Sequence, residues 1–157
     1  MARFINKLKV AVIGCGRISV MHLASIKDEK DVELVAVCDV KKDRADATSK
    51  EFNCKAFYNY EEMLDAEVLD AVHICLPHYL HTKAACYAFK KNVNVLSEKP
   101  MDVDFESAKN AVEMAKKNNV LYGVILQCRY NNSSVLVKKA VESGKLGKII
   151  SARSVLT

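Results

Sequence analysis

Apolar residues fall in short, nearly continuous runs, separated by segments whose apolar positions recur every three to four residues. Residues 8–13 form the first run, short enough for a strand buried on both faces. Further strand-like runs are 32–40, 56–58, 69–76, 93–97 and 120–126. Between them lie helical stretches: one from the first glycine turn to about residue 27, then 41–52, 60–66, 79–91 and 104–117. In 79–91, Leu80, Ala84 and Ala88 with the Ala85/Phe89 pair mark one face at i, i+4 spacing. Asp104 stands where a helix N-cap belongs, while Asn53, Asn92 and Asn118–Asn119 mark stops.

Strands alternating with helices of this length predict βαβ units and an α/β fold, with a doubly wound parallel sheet covered on both faces. The expected boundary closes this Rossmann domain near residue 127. Residues 128–157 fit the sheet less well. A helix is expected over 131–143, closed by Gly144, and then a strand over 148–156. That orphan strand reads as the beginning of a second α/β domain. Its Ile149, Ile150, Val155 and Leu156 would be left to pair with another copy of the chain, giving a homo-oligomer.

Composition narrows the classes. Half of the 157 residues are apolar and 27% charged, as in ordinary globular domains. The net charge of +5 suits anionic ligands. Nucleic acid is not expected, because the lysines occur as scattered pairs without interleaved aromatics. None of the six cysteines forms a C-x-x-C pair or a zinc spacing, so no metal is expected, and the thiols read as reduced core residues of a cytoplasmic protein. The first residues lack a signal-peptide core, and no run is long enough to span a bilayer.

The chemistry gathers at the ends of the expected strands. Gly14-Cys15-Gly16-Arg17-Ile18-Ser19 carries the first two glycines of G-x-G-x-x-G between a strand and a helix. The first glycine allows the tight turn and the second lets a pyrophosphate approach the backbone, while the third position, here Ser19, needs a small residue. Backbone N–H groups and the helix dipole would hold the phosphates. Asp39 follows Gly14 by 25 residues at the end of the second strand, where a carboxylate accepts from ribose hydroxyls and repels a 2′-phosphate. NAD is therefore expected ahead of NADP, although Lys41, Lys42 and Arg44 follow closely and would suit a phosphate. Leu76-Pro77-His78 ends the fourth strand at the same edge, and His81 is placed to bond the cofactor or a neighbouring loop. His22 and His73 read as packing residues. Glu98-Lys99-Pro100 ends the next strand. A lysine beside a positively charged nicotinamide is favoured as the neutral amine, the form that takes a proton from an alcohol as hydride leaves. Glu98 would orient it.

These motifs together resemble the Gfo/Idh/MocA family, the oxidoreductases named for glucose–fructose oxidoreductase and inositol dehydrogenase. The resemblance covers nearly the whole chain: the glycine loop, Val37-Cys38-Asp39, Pro77 with His81, Glu98-Lys99-Pro100, Gln127-x-Arg129-Tyr130-Asn131, and Gly144 to Lys148. It implies hydride transfer between NAD(P) and a hydroxyl carbon of a sugar, cyclitol or sugar derivative. Lys99 would be catalytic. Gly14, Gly16, Arg17, Ile18, Asp39, Leu76, Pro77, His78, His81, Glu98, Lys99 and Gln127 would contact the cofactor. His78 replaces the asparagine common after that proline, Asn132 a frequent proline, and Ser19 the usual Gly or Ala. Family members run to more than twice this length, so the chain is expected to be the cofactor part of such an enzyme. The alternative is a dinucleotide sensor that binds without turnover.

Overall fold

The computed structural model describes residues 7–153 and residue 155. Its strands are β1 (Leu8–Ile13), β2 (Val32–Cys38), β3 (Lys55–Phe57), β4 (Ala71–Ile74), β5 (Asn94–Ser97) and β6 (Tyr122–Val124). Its helices are α1 (Ser19–Asp28), α2 (Lys42–Phe52), α3 (Tyr60–Ala66), α4 (His81–Lys90), α5 (Phe105–Lys117) and α6 (Asn132–Glu142). The strands form one parallel sheet in the order β3-β2-β1-β4-β5-β6. This is the doubly wound order expected from the alternating pattern.

Both faces of β1 are buried, which is why its sequence is apolar at every position from Val10 to Ile13. Ala11 and Ile13 enter a core with Met63 and Leu64 of α3, Ala84, Ala88 and Phe89 of α4, and Ala111 and Ala115 of α5. Val10 and Val12 point the other way, to Leu23 and Ile26 of α1 and the partly buried Phe52 at the end of α2. The alanine stripe on α4 lets that helix lie close to the sheet.

Local chemistry sets the ends of the helices. Asn59 Oδ1 accepts from the Glu61 and Glu62 N–H groups at the start of α3, and Asp104 Oδ2 accepts from the Ser107 N–H at the start of α5. Asn53, Asn92 and Asn119 follow α2, α4 and α5 with φ of 51°, 59° and 54°, the left-handed conformation that asparagine tolerates. The expected helix over 79–91 is divided into a 3₁₀ turn, His78–Leu80, and α4. Strands β2, β4 and β6 are shorter than the apolar runs that announced them. Apolar character continues into the loops beyond the paired ladder, at Val40, Leu76 and Leu126, so hydrophobicity alone overruns the strand ends.

The chain divides into two compact units between Ile125 and Leu126. In the second unit, Gln127–Tyr130 is a 3₁₀ turn and α6 follows, with none of its residues buried. The strand expected over 148–156 is absent among the described residues 148–153 and 155; Ser154 and Leu156 lie outside them. A strand needs a paired neighbour to satisfy its N–H and C=O groups, and no strand pairing involves the described residues of this segment.

Candidate dinucleotide-binding site

From β1 the sheet is extended in one direction through β2 and β3, and in the other through β4, β5 and β6. The carboxyl ends of β1 and β4 lie side by side, with Ile13 opposite Ile74. Connections leave these ends in opposite directions, and this is where a crevice opens in such a sheet. Gly14 makes the turn with φ +98°, and a Cβ there would lie 2.4 Å from the Cys75 carbonyl oxygen, so only glycine fits. Gly16 differs: no atom lies within 4 Å of the place a Cβ would occupy. Ser19, at the third motif position, is buried and donates its hydroxyl to the Gly16 carbonyl at 2.6 Å, closing the loop onto α1. Ile18 caps α1 without a side-chain hydrogen bond. Arg17 and Ile18 are exposed beside it. An uncapped helix N-terminus beside an open glycine fits a phosphate oxygen.

Asp39 follows β2 directly. Its Oδ2 accepts from the Cys15 N–H at 2.9 Å and its Oδ1 from the Lys41 N–H at 2.9 Å. The carboxylate thus ties the glycine loop to the end of β2. Each oxygen keeps a lone pair for a ribose hydroxyl. An open cleft of about 240 Å³ beside it is lined by Asp39, Val40, Tyr58, Tyr60 and Leu76 among others. Lys42 Nζ lies 4.9 Å from the Tyr58 ring centroid, so that cation rests on an aromatic face. Burial pushes the Cys38 and Cys75 thiols up to about 12 and also raises Cys15. These cysteines line the loop as neutral thiols.

At the β4 and β5 ends, Leu76 is half-buried and Pro77 and His78 are exposed. His81 is fully buried behind them. Its Nδ1 lies 2.7 Å from the Pro100 carbonyl oxygen and its Nε2 2.7 Å from that of Leu76. The ring thus stands between the turn after β4 and the turn after Lys99, the neighbouring loops open to it in sequence. Glu98 is buried and Lys99 exposed. Glu98 Oε2 accepts from the Lys99 N–H at 3.1 Å, and Oε1 lies 3.2 Å from His22 Nε2. His22 Nδ1 lies 3.0 Å from His73 Nδ1.

One sheet edge thus gathers Gly14, Gly16, Asp39, Leu76, Pro77, Glu98 and Lys99. Gln127 belongs to the second unit, exposed in its 3₁₀ turn. Sequence reasoning missed the link from His22 and His73 to Glu98. The signal was periodicity. Ser19, His22, Leu23 and Ile26 form the buried stripe of α1, and alternation along β4 sends His73 away from Val72 and Ile74, both in the α3–α5 core. Among the described residues, no cluster of three His, Cys, Asp or Glu side chains is placed to hold a metal, and no helix is long and apolar enough to cross a membrane.

Comparison with known proteins gives the same architecture. Residues 8–126 match the Gfo/Idh/MocA family, described as an oxidoreductase family with an NAD-binding Rossmann fold. Glucose-6-phosphate 3-dehydrogenase of Bacillus subtilis is 30% identical over 92% of this chain and 41% of its own length. Myo-inositol 2-dehydrogenase of Thermotoga maritima is 28% identical over 90% of this chain and 42% of its own. Among solved structures, the WlbA dehydrogenase of Bordetella pertussis, in complex with NADH and UDP-GlcNAcA, superposes with a TM-score of 0.89 at 32% identity, covering 91% of this chain and 44% of that one. Scyllo-inositol dehydrogenase of Lactobacillus casei, with bound NAD(H) and scyllo-inositol, gives a TM-score of 0.85 at 25% identity, with 91% and 43% covered. The chain spans less than half the length of each of these relatives. With its six-stranded order, glycine loop and matched span, the chain belongs to the Gfo/Idh/MocA oxidoreductase family, and residues 8–126 are its NAD-binding Rossmann domain.

Proposed function

We propose that this chain is the cofactor-holding part of an NAD-dependent dehydrogenase that acts on a hydroxyl carbon of a sugar, cyclitol or sugar derivative. Gly14, Gly16 and the start of α1 hold the pyrophosphate through backbone N–H groups. Asp39 receives the adenosine ribose. Leu76, Pro77 and His78 border the crevice between the β1 and β4 ends, with His81 bracing that border from behind. The nicotinamide supplies the hydride acceptor when bound. Lys99, exposed at the end of β5, takes the hydroxyl proton, and Glu98 fixes the backbone that presents it. Relatives that act on glucose 6-phosphate and myo-inositol support the polyhydroxy substrate class. Gln127 joins the site as an expectation from the family motif. Turnover belongs to the whole protein, because a hydroxyl carbon must be held in reacting geometry against the nicotinamide.

The observation that carries this reading is the Asp39 carboxylate, held by the glycine loop itself at the end of β2. Calorimetric titration of NADH and NADPH tests it. NADH is expected to bind about tenfold more tightly or better, since a 2′-phosphate would meet a fixed negative charge. Asp39→Asn is expected to narrow that ratio. A preference for NADPH would overturn the assignment of Asp39.

A further inference from the structure

Three ionisable side chains stand in a row on the α1 side of the sheet: His73 of β4, His22 of α1 and Glu98 just past β5. His22 and Glu98 are only 5% and 8% exposed. The two imidazoles meet Nδ1 to Nδ1 at 3.0 Å. Such a contact holds one proton: two N–H groups would collide there, and two lone pairs would repel. Burial, with the charge of His22, pushes His73 down to about 4, so at neutral pH His73 carries a single ring proton. On its far side His22 meets Glu98 Oε1 at 3.2 Å, and the other carboxylate oxygen accepts the Lys99 N–H. Cys75, whose thiol burial and the Glu98 charge push up to about 12, stays neutral beside them. Burying three polar groups is costly unless each is hydrogen-bonded. Here the bonds run in series and end at the lysine backbone.

We propose that His22 and His73 are positioning residues for Lys99: His22 donates its Nε2–H to Glu98, His73 fixes the His22 ring through one shared proton, and the carboxylate held this way sets the backbone of Lys99. The role rests on the reading of Lys99 as the reacting lysine. It predicts an effect confined to one half of the cofactor. The Asp39 half lies at the ends of β1 and β2 and has no member in this row.

The test uses the 157-residue chain. Ring-nitrogen NMR is expected to show a proton on His22 Nε2. NADH and ADP-ribose, which lacks the nicotinamide, are then titrated into two variants. His22→Phe keeps a flat ring but loses both nitrogens, whereas His22→Gln keeps a donor toward Glu98. His22→Phe is expected to weaken NADH about tenfold while ADP-ribose stays within about twofold. It is also expected to shift the Lys99 amide proton out of its hydrogen-bonded position. His22→Gln is expected to recover most of both. Should His22→Phe fail to fold, His73→Phe gives the same ordering with a smaller loss, and His73→Asn restores it. A proton confined to His22 Nδ1, a parallel loss of both ligands, or unchanged NADH affinity would overturn the proposal. If the unaltered chain bound neither ligand, the NAD reading would fall by itself. The Lys99 amide would then decide: a shift in His22→Phe but not in His22→Gln supports the positioning role, and any other pattern overturns it.

Discussion

The two faces of the sheet are filled by different chemistry. Against α3, α4 and α5 the core is mostly hydrocarbon, with Ile13, Met63, Ile74 and Phe89 at most 1% exposed, and its one buried histidine, His81, sits at the first turn of α4. Against α1 the apolar filling is thinner, and His22, His73 and Glu98 complete it. The first face keeps the sheet intact. The second carries a polar row that ends beneath Lys99, so it joins packing to the chemistry proposed at the strand ends. Non-directional packing tolerates exchange among hydrocarbons of similar volume. A chain of hydrogen bonds tolerates only groups that preserve donor and acceptor.

Each face can be perturbed separately. The largest effect is expected on the apolar side. Phe89→Ala empties a fully buried site where the ring meets Tyr122 edge-on, and should cost about 3–5 kcal/mol in urea unfolding, with little dependence on pH. The polar side should respond to pH instead. His73 stays neutral in the folded chain down to about 4, whereas the unfolded chain takes up that proton near 6.5. The unfolded state thus binds more protons between these values, and stability falls as pH drops through the window, by about 3 kcal/mol in all. Above that window His73 adds no slope. Unfolding curves of His73→Phe at several pH values should lack this part of the acid sensitivity. An unchanged slope would remove His73 from the account. The smallest effect is again on the apolar side. The Tyr122 hydroxyl is buried with no hydrogen-bond partner among the described residues, and burial pushes it up to about 12. Tyr122→Phe should therefore leave stability unchanged or raise it by up to about 1 kcal/mol. A clear loss would reveal a partner for that hydroxyl and weaken the contrast between the faces.

The apolar face was the more legible in sequence. The unbroken apolar run of β1 and the alanine stripe of α4 carry their burial in residue type, and Asn53, Asn92 and Asn119 mark helix ends by their own backbone preference. The placement of Gly14 and Asp39 was legible because each directly follows an apolar strand run, β1 and β2. The polar row was not. Its members are separated by 51 and 76 positions, and each histidine alone looks like filler. Only the register that sets β4 beside β5, with His22 reaching them from α1 over β1 and β2, brings the three together. His81 was ambiguous for a related reason: a histidine one turn into a helix gives no sign of which carbonyls surround it. The strand expected over 148–156 failed differently, over its described residues 148–153 and 155. Its residues suit a strand, but strands are stabilised by neighbours, which a local pattern cannot supply.

Gly16 gives the most direct test of the central claim that the glycine loop receives a dinucleotide. No atom lies within 4 Å of where its Cβ would be, so Gly16→Val meets little resistance inside the fold, yet it places methyl groups where the pyrophosphate must approach. NADH should bind the unaltered chain saturably, with one molecule per chain. Gly16→Val should abolish that binding while its unfolding free energy stays within about 1 kcal/mol. Equal NADH affinity in the two proteins, or no binding to the unaltered chain, would contradict the assignment.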